Sequence, residues 1–167
     1  MKKVILLVAM VFMSNITFAQ GTFDSLEDLD DVSTVVVTKA AFELLKKFPD
    51  AKSEDMKVFN TAKGLEELKV FSTENGEIAS KMEAMANAAI KKGNMTQLMR
   101  VKDKGSRVKI YIKSTSNKDI VSEVLMFVKS KDGKDDKQSS TIISLIGEIN
   151  MNELAEIAKD YDKKSDK

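Results

Sequence analysis

The sequence predicts an α+β fold: a mixed sheet of about six strands with helices on one face and a further helix at the C-terminus. Three observations carry this. Between Gly76 and Gly93, Ile78, Met82, Met85, Ala86 and Ala89 recur at i, i+4, i+7, i+8 and i+11, the stripe of an amphipathic helix. After Gly93 the period changes to two: Val108, Ile110 and Ile112 alternate with Arg107, Lys109, Tyr111 and Lys113. Runs of this second kind then follow one another with short polar links, as in an antiparallel meander.

Taken in order, Phe23, Leu26 and Leu29 have the spacing of a short entry helix in an acidic stretch. Residues 32–38 are rich in β-branched side chains around Val35, Val36 and Val37 and read as a strand. Thr38 is placed to cap a helix from Lys39 whose stripe is Ala41, Phe42, Leu45 and Phe48, with Pro49 as its stop. Residues 50–61 are polar and fit either a loop or a weak helix. A short strand is expected at 68–72, followed by a turn at Asn75-Gly76. The long helix comes next, with Gly93 where a helix end favours positive φ. Strands are expected at 95–102, 107–113, 120–129 and 141–149, the last two joined by a charged loop around Asp132-Gly133. Asn150 then caps a final helix, with Glu153 at capping-box spacing and Leu154, Ile157, Ala158 and Tyr161 as its buried stripe. The order is β-α-β-α followed by a four-stranded meander and a helix.

Residues 1–19 have the layout of a secretory signal peptide: a basic Met1-Lys2-Lys3, an apolar run from Val4 to Met13, and Thr17-Phe18-Ala19 before a cut near Ala19-Gln20. The run is about ten residues, half of what a helix needs to span a bilayer, so no stable membrane anchor is expected. No cysteine follows the cut to accept a lipid. The expected organisation is a signal at 1–19, one domain at 20–161 and a disordered tail at 162–167, with the mature protein periplasmic or secreted.

Composition narrows the chemistry. The chain holds 27 basic and 26 acidic residues, and removal of Lys2 and Lys3 with the signal leaves it slightly acidic. A near-neutral domain has no general pull toward nucleic acid. Histidine, cysteine and tryptophan are absent. That excludes a Ser-His-Asp triad, a thiol nucleophile and an imidazole zinc site. Carboxylate, lysine and tyrosine mechanisms remain open. No glycine-rich phosphate loop, nucleophile elbow or paired-carboxylate motif is present, so no catalytic residue, metal ligand or cofactor is assigned.

The strands carry a resemblance to a known family. Leu98-Met99-Arg100-Val101-Lys102, Val108-Lys109-Ile110-Tyr111-Ile112-Lys113, Glu123-Val124-Leu125-Met126 and Leu145-Ile146-Gly147-Glu148-Ile149 resemble the segments of domain of unknown function 4252. The valine strand and the Ala41-Phe42 helix fit the same layout. The resemblance implies a small exported protein of the Gram-negative envelope, with a weak link to envelope signalling and no site residues to carry over.

Four constellations have a functional reading beside a plain one. Asp24, Glu27, Asp28, Asp30 and Asp31 form an acidic cluster, but the EF-hand spacing fails and a solvated helix start suits the acids better. The lysine-rich stretch 129–137 suits a soluble hairpin tip better than a docking loop. Met82 and Met85 suit a core better than a ligand groove. The fourth is the second face of the meander, where Arg107, Lys109, Tyr111 and Lys113 stand, depending on register, beside Leu125 and Phe127 of the next strand and Ile143 and Leu145 of the last. Tyrosine, phenylalanine and arginine together suit an interface. Arg107, Lys109, Tyr111, Lys113, Leu125 and Phe127 are the candidate site for an envelope protein partner or an anionic ligand; the plain reading is that a helix covers the apolar ones. The expected function is a non-enzymatic binding or regulatory module. A histidine-free carboxylate hydrolase or lyase, and a periplasmic chaperone that uses an open sheet edge, are the alternatives.

Overall fold

The computed structural model describes residues 21–47, 64–103, 105–131 and 138–152. A 3-10 turn at Asp24–Leu26 precedes β1 (Ser33–Val37), α1 (Lys39–Lys46), β2 (Leu65–Thr73), α2 (Gly76–Lys92), β3 (Thr96–Asp103), β4 (Ser106–Ser114), β5 (Ile120–Lys131) and β6 (Gln138–Asn150). The fold is α+β. The signal layout, the charged loop turn at Asp132-Gly133 and the body of the C-terminal helix lie outside the described residues.

The strands form one sheet in the order β1-β2-β6-β5-β4-β3, and every neighbouring pair is antiparallel. The expected mixed sheet is therefore corrected. β2 and β3 do run the same way, as a helical crossover requires, but α2 delivers β3 to the far edge, and β6 takes the place beside β2. The crossover spans four strand spacings, about 19 Å at the usual separation.

Local chemistry starts and stops α2. The Asn75 side chain accepts hydrogen bonds from the Glu77 and Ile78 amides at 3.0 and 3.3 Å, which satisfies two otherwise orphaned donors. Glu77 lies in its first turn, and Lys91 and Lys92 lie in its last, each suited to the helix dipole. At the C-terminus Gly93 stays helical at φ −79° and the next residue, Asn94, takes the left-handed conformation at φ 48°. Asparagine tolerates that region better than most residues, so Gly93 is not needed for it.

α2 lies across one face of the sheet. Met82, Ala86 and Ala89 pack on Phe71 of β2, Leu125 and Phe127 of β5 and Ile142 of β6. The alanines let the helix approach closely, while Met82 fills the space between them. Phe23 and Leu26 of the 3-10 turn close the same core, with the Phe23 and Phe71 rings 6.1 Å apart. Phe71, Met82, Leu125 and Ile142 are wholly buried, each worth roughly 1.5–3 kcal/mol on transfer from water. The opposite face has a smaller core of Val121, Val124 and Ile149, against which Leu65, Ile110, Ile112, Leu145 and Met151 pack.

Lys69 lies on β2 beside this core and is only 8% exposed. Its ammonium meets Asp24 at 2.5 Å, Glu27 at 3.5 Å and Glu67 at 3.8 Å. Burial pushes its pKa down, but the hydrogen bond to Asp24 and the charges of Glu67, Asp24 and Glu27 outweigh this and hold it above the usual lysine value. Asp24 and Glu27 are thus the counter-charges of a buried lysine, and they pin the 3-10 turn to the sheet.

Gly64 and Gly147 meet where β2 begins opposite the end of β6. Gly147 adopts φ +146°, and a Cβ there would strike the Gly64 carbonyl and the Leu65 Cα. A Cβ on Gly64 would strike the Glu148 carbonyl. Gly147 belongs to the Leu145-to-Ile149 segment singled out in the sequence, and its requirement is steric.

Gly147→Ala is expected to lower unfolding stability by roughly 1–3 kcal/mol from backbone strain alone, read by urea denaturation. Lys69 contributes stability that is present below its ordinary pKa of 10.5 and lost as pH rises through its raised value. Thermal unfolding of Lys69→Met should therefore show a shallower alkaline decline than the parent protein.

Candidate functional site

The candidate residues of the meander all lie on strands whose register is settled. Along β4, Arg107, Lys109, Tyr111 and Lys113 face the same side as α2, opposite Lys129, Phe127, Leu125 and Glu123 of β5. α2 rests on β2, β6 and β5, so Leu125 and Phe127 lie beneath it at 0% and 3% exposure and belong to the core. Nothing can touch them without displacing the helix. Arg107 and Lys113 are exposed, and Lys109 and Tyr111 are half-buried at the margin of the helix. Tyr111 packs on the core through its ring, while its hydroxyl donates to Gln97 Oε1 at 3.3 Å.

Beyond this margin the same face continues onto β3 as a basic strip. Lys102 of β3, Arg107 of β4 and Lys129 of β5 stand directly opposite one another in one row. Arg100 of β3 and Lys109 of β4 form the next. Like charges directly opposite across a sheet oppose pairing, at a cost of roughly 0.2–1 kcal/mol for each pair. Among the described residues, the carboxylate that answers them is Glu83 of α2. It accepts a short hydrogen bond from Lys129 Nζ, and Lys109 Nζ is 3.7 Å from its other oxygen. The hydrogen bond from Lys129 is the largest cause holding Glu83 below the usual carboxylate range; burial opposes it, and the charges of Lys129, Lys109 and Arg107 add to it. Lys129 also lies 5.9 Å from the Phe127 ring centroid, within cation–π range. Arg100, Lys102 and Arg107 form no salt bridge among the described residues. Among the described residues the strip therefore holds more positive charge than its carboxylate neighbours neutralise.

Arg100, Lys102, Lys129 and Glu83 were not among the sequence candidates. A signal for the first two existed. Arg100 and Lys102 alternate with Met99 and Val101, and a tight turn at Gly105 folds this run back on the one holding Arg107 and Lys109. Glu83 carried no such signal, because helix periodicity does not reveal which strand residue lies beneath.

At the opposite end of the sheet lies an open cleft of about 480 Å³, lined by Glu66, Thr115, Asn117, Ser122, Gly147 and Glu148 among others. Register shifts in β2, β4 and β5 converge there. Glu66 is bound to Lys39 at 2.9 Å, and both groups are more than half exposed. Glu148 is exposed. Glu123, nearby on β5, has its pKa raised by burial and partly restored by the charge of Lys113. No group of three or more metal-ligating side chains occurs among the described residues, and no described helix is long and apolar enough to cross a membrane.

Fold and site together define an α+β module with a one-sided helix and a basic sheet margin. The chain belongs to the family described as Domain of unknown function (DUF4252), which matches residues 25–157. Neither the curated proteins nor the solved structures contain a match.

Glu83→Gln should lower the melting temperature at low salt, and the deficit should shrink as added salt screens the strip. The folded pKa of Glu83 is depressed, so its contribution is present above its ordinary value of 4.5 and is lost as pH falls through the lowered one. Calorimetry between pH 7 and pH 3 should show a steeper acid decline in the parent than in the variant.

Proposed function

We propose that this chain is a non-enzymatic binding module that takes an acidic protein partner on the basic strip of β3 and β4. The observation that carries the reading is the row Lys102-Arg107-Lys129 above the pair Arg100-Lys109, set, among the described residues, against the carboxylate of Glu83. A domain that is close to neutral as a whole has gathered cations on one sheet margin at a cost to its own pairing. An anionic partner would remove that cost on binding, and electrostatic complementarity of this kind speeds and orients association. Of the residues first singled out, Arg107 and Lys109 belong to the strip and Tyr111 flanks it, Lys113 stands opposite Glu123 toward the other end of β4, and Leu125 and Phe127 lie in the core beneath α2.

The location proposed is the cell envelope, supported by the signal-like layout of residues 1–19 and by the family's implied export. A carboxylate enzyme would have to use the cleft of Glu66 and Glu148. Both acids there are open to water, so an acid role would fall to Glu123 nearby, whose pKa burial raises.

The test is binding to poly-L-glutamate, followed by fluorescence anisotropy at low and high salt. The parent should bind at low salt and release as salt rises. Arg100→Glu combined with Lys102→Glu should reduce affinity at least tenfold with an unchanged circular dichroism spectrum. Equal binding by parent and variant would overturn the assignment of the strip. Binding to vesicles of anionic lipid without binding to poly-L-glutamate would replace the protein partner with a membrane surface.

A further inference from the structure

β3 is an edge strand. It pairs with β4 on one side, and no described strand lies on the other. Its backbone groups on that side form a ready template for another strand. Proteins usually protect such an edge by keeping it short, bulging it, charging it or covering it; β3 has a register shift between Gln97 and Met99, beyond which Met99 to Asp103 pair regularly with β4. β3 is eight residues long and carries Leu98, Met99 and Val101 at 50%, 47% and 45% exposure. β1, at the other edge, has five residues.

The two faces beside the open edge differ in chemistry. On the α2 side the edge carries Arg100 and Lys102, backed by Arg107 and Lys109 of β4. On the other side it carries Met99 and Val101, backed by Ile110 and Val108. A strand added to β3 would continue both faces, so its side chains would alternate between a cationic margin and an apolar one.

We infer that β3 receives an extended segment of an acidic partner whose residues alternate between acidic and apolar, with the acids over Arg100 and Lys102 and the apolar side chains beside Met99 and Val101. Main-chain hydrogen bonds supply the affinity in strand addition, and alternate side chains supply the specificity. A second copy of this chain is the obvious rival occupant of an open edge. Pairing β3 with itself would set the Arg100 and Lys102 of one chain against those of the other, and that like-charge opposition disfavours it. The charges therefore both exclude self-pairing and select the partner. This inference rests on the basic strip being the binding surface; it adds the backbone mode and the partner's pattern.

Four labelled seven-residue peptides test it by fluorescence anisotropy. One strictly alternates glutamate and valine, one groups the same residues into an acidic and an apolar block, and two are N-methylated forms of the alternating peptide, one methylated on the glutamate amides and one on the valine amides. In an added strand, amides of successive residues point to opposite edges. The alternating peptide should bind about tenfold or more tightly than the block peptide. One N-methylated form should keep its affinity and the other should lose it, and hydrogen exchange should show new protection of β3 amides.

Equal affinity for the alternating and block peptides, or indifference to both methylation patterns, would overturn strand addition while leaving the basic strip as a charge-reading surface. Failure of both peptides where poly-L-glutamate still binds would do the same. Failure of all three anionic probes would overturn the binding reading as well. A dimer held by β3, seen as concentration-dependent protection of its amides without peptide, would overturn the choice of an acidic partner over a second copy.

Discussion

The structure depends on a helix laid across one side of a sheet. α2 must carry the chain from β2 to the far edge and cover the apolar face as it goes. Its alanines answer both demands, because small side chains let the helix backbone sit close over Phe71, Leu125 and Ile142, with which they share one buried cluster. A single helix cannot shield six strands, however. It covers the centre and leaves β3 and β4 outside its footprint. The fold solves this by changing the chemistry of that face, from phenylalanine, leucine and isoleucine beneath the helix to arginine and lysine beyond it. Glu83 stands at the boundary and ties the helix to the first of those cations.

Two lysine environments in the same sheet show how differently a fold can treat one charge. Lys69 is nearly buried, and acids from the 3-10 turn and from its own strand approach it. A charge taken out of water must be paired, and this one is over-supplied with partners. On β3 and β4 the balance is reversed, with several cations to one carboxylate. The first arrangement ties down the N-terminal turn and is complete within the molecule. Among the described residues the second is left with Arg100, Lys102 and Arg107 outside any salt bridge, and that contrast is why the strip is proposed as the binding surface.

Much of the fold was legible in the sequence. The alternation of Val108, Ile110 and Ile112 with their polar neighbours placed β4 and both its faces, and the spacing of Ile78, Met82, Met85, Ala86 and Ala89 placed α2. What could not be read was which face the helix would choose. Both faces of β4 and β5 carry enough apolar or amphipathic side chains to pack, and the choice depends on where the crossover lands. For that reason Leu125 and Phe127 looked like companions of Arg107 and Lys109, when they are the floor under α2. Asp24 and Glu27 looked like acids at a helix start because Lys69 lies 45 positions from Asp24 and no local pattern links them.

The strand order has a consequence for how the chain acquires its shape. β6 is the last strand to be made, yet it lies in the interior of the sheet, between β2 and β5. Its contacts with β2 join residues as far apart as Leu65 and Gly147, 82 positions distant. Until β6 emerges, β2 has β1 on one side and an unfilled edge on the other, and β5 has only β4. Neither half can close early. Long-range pairing of this kind makes folding slow. Among the described strands, the thirteen residues of β6 are thus what joins the β1-β2 pair to the three strands β3, β4 and β5.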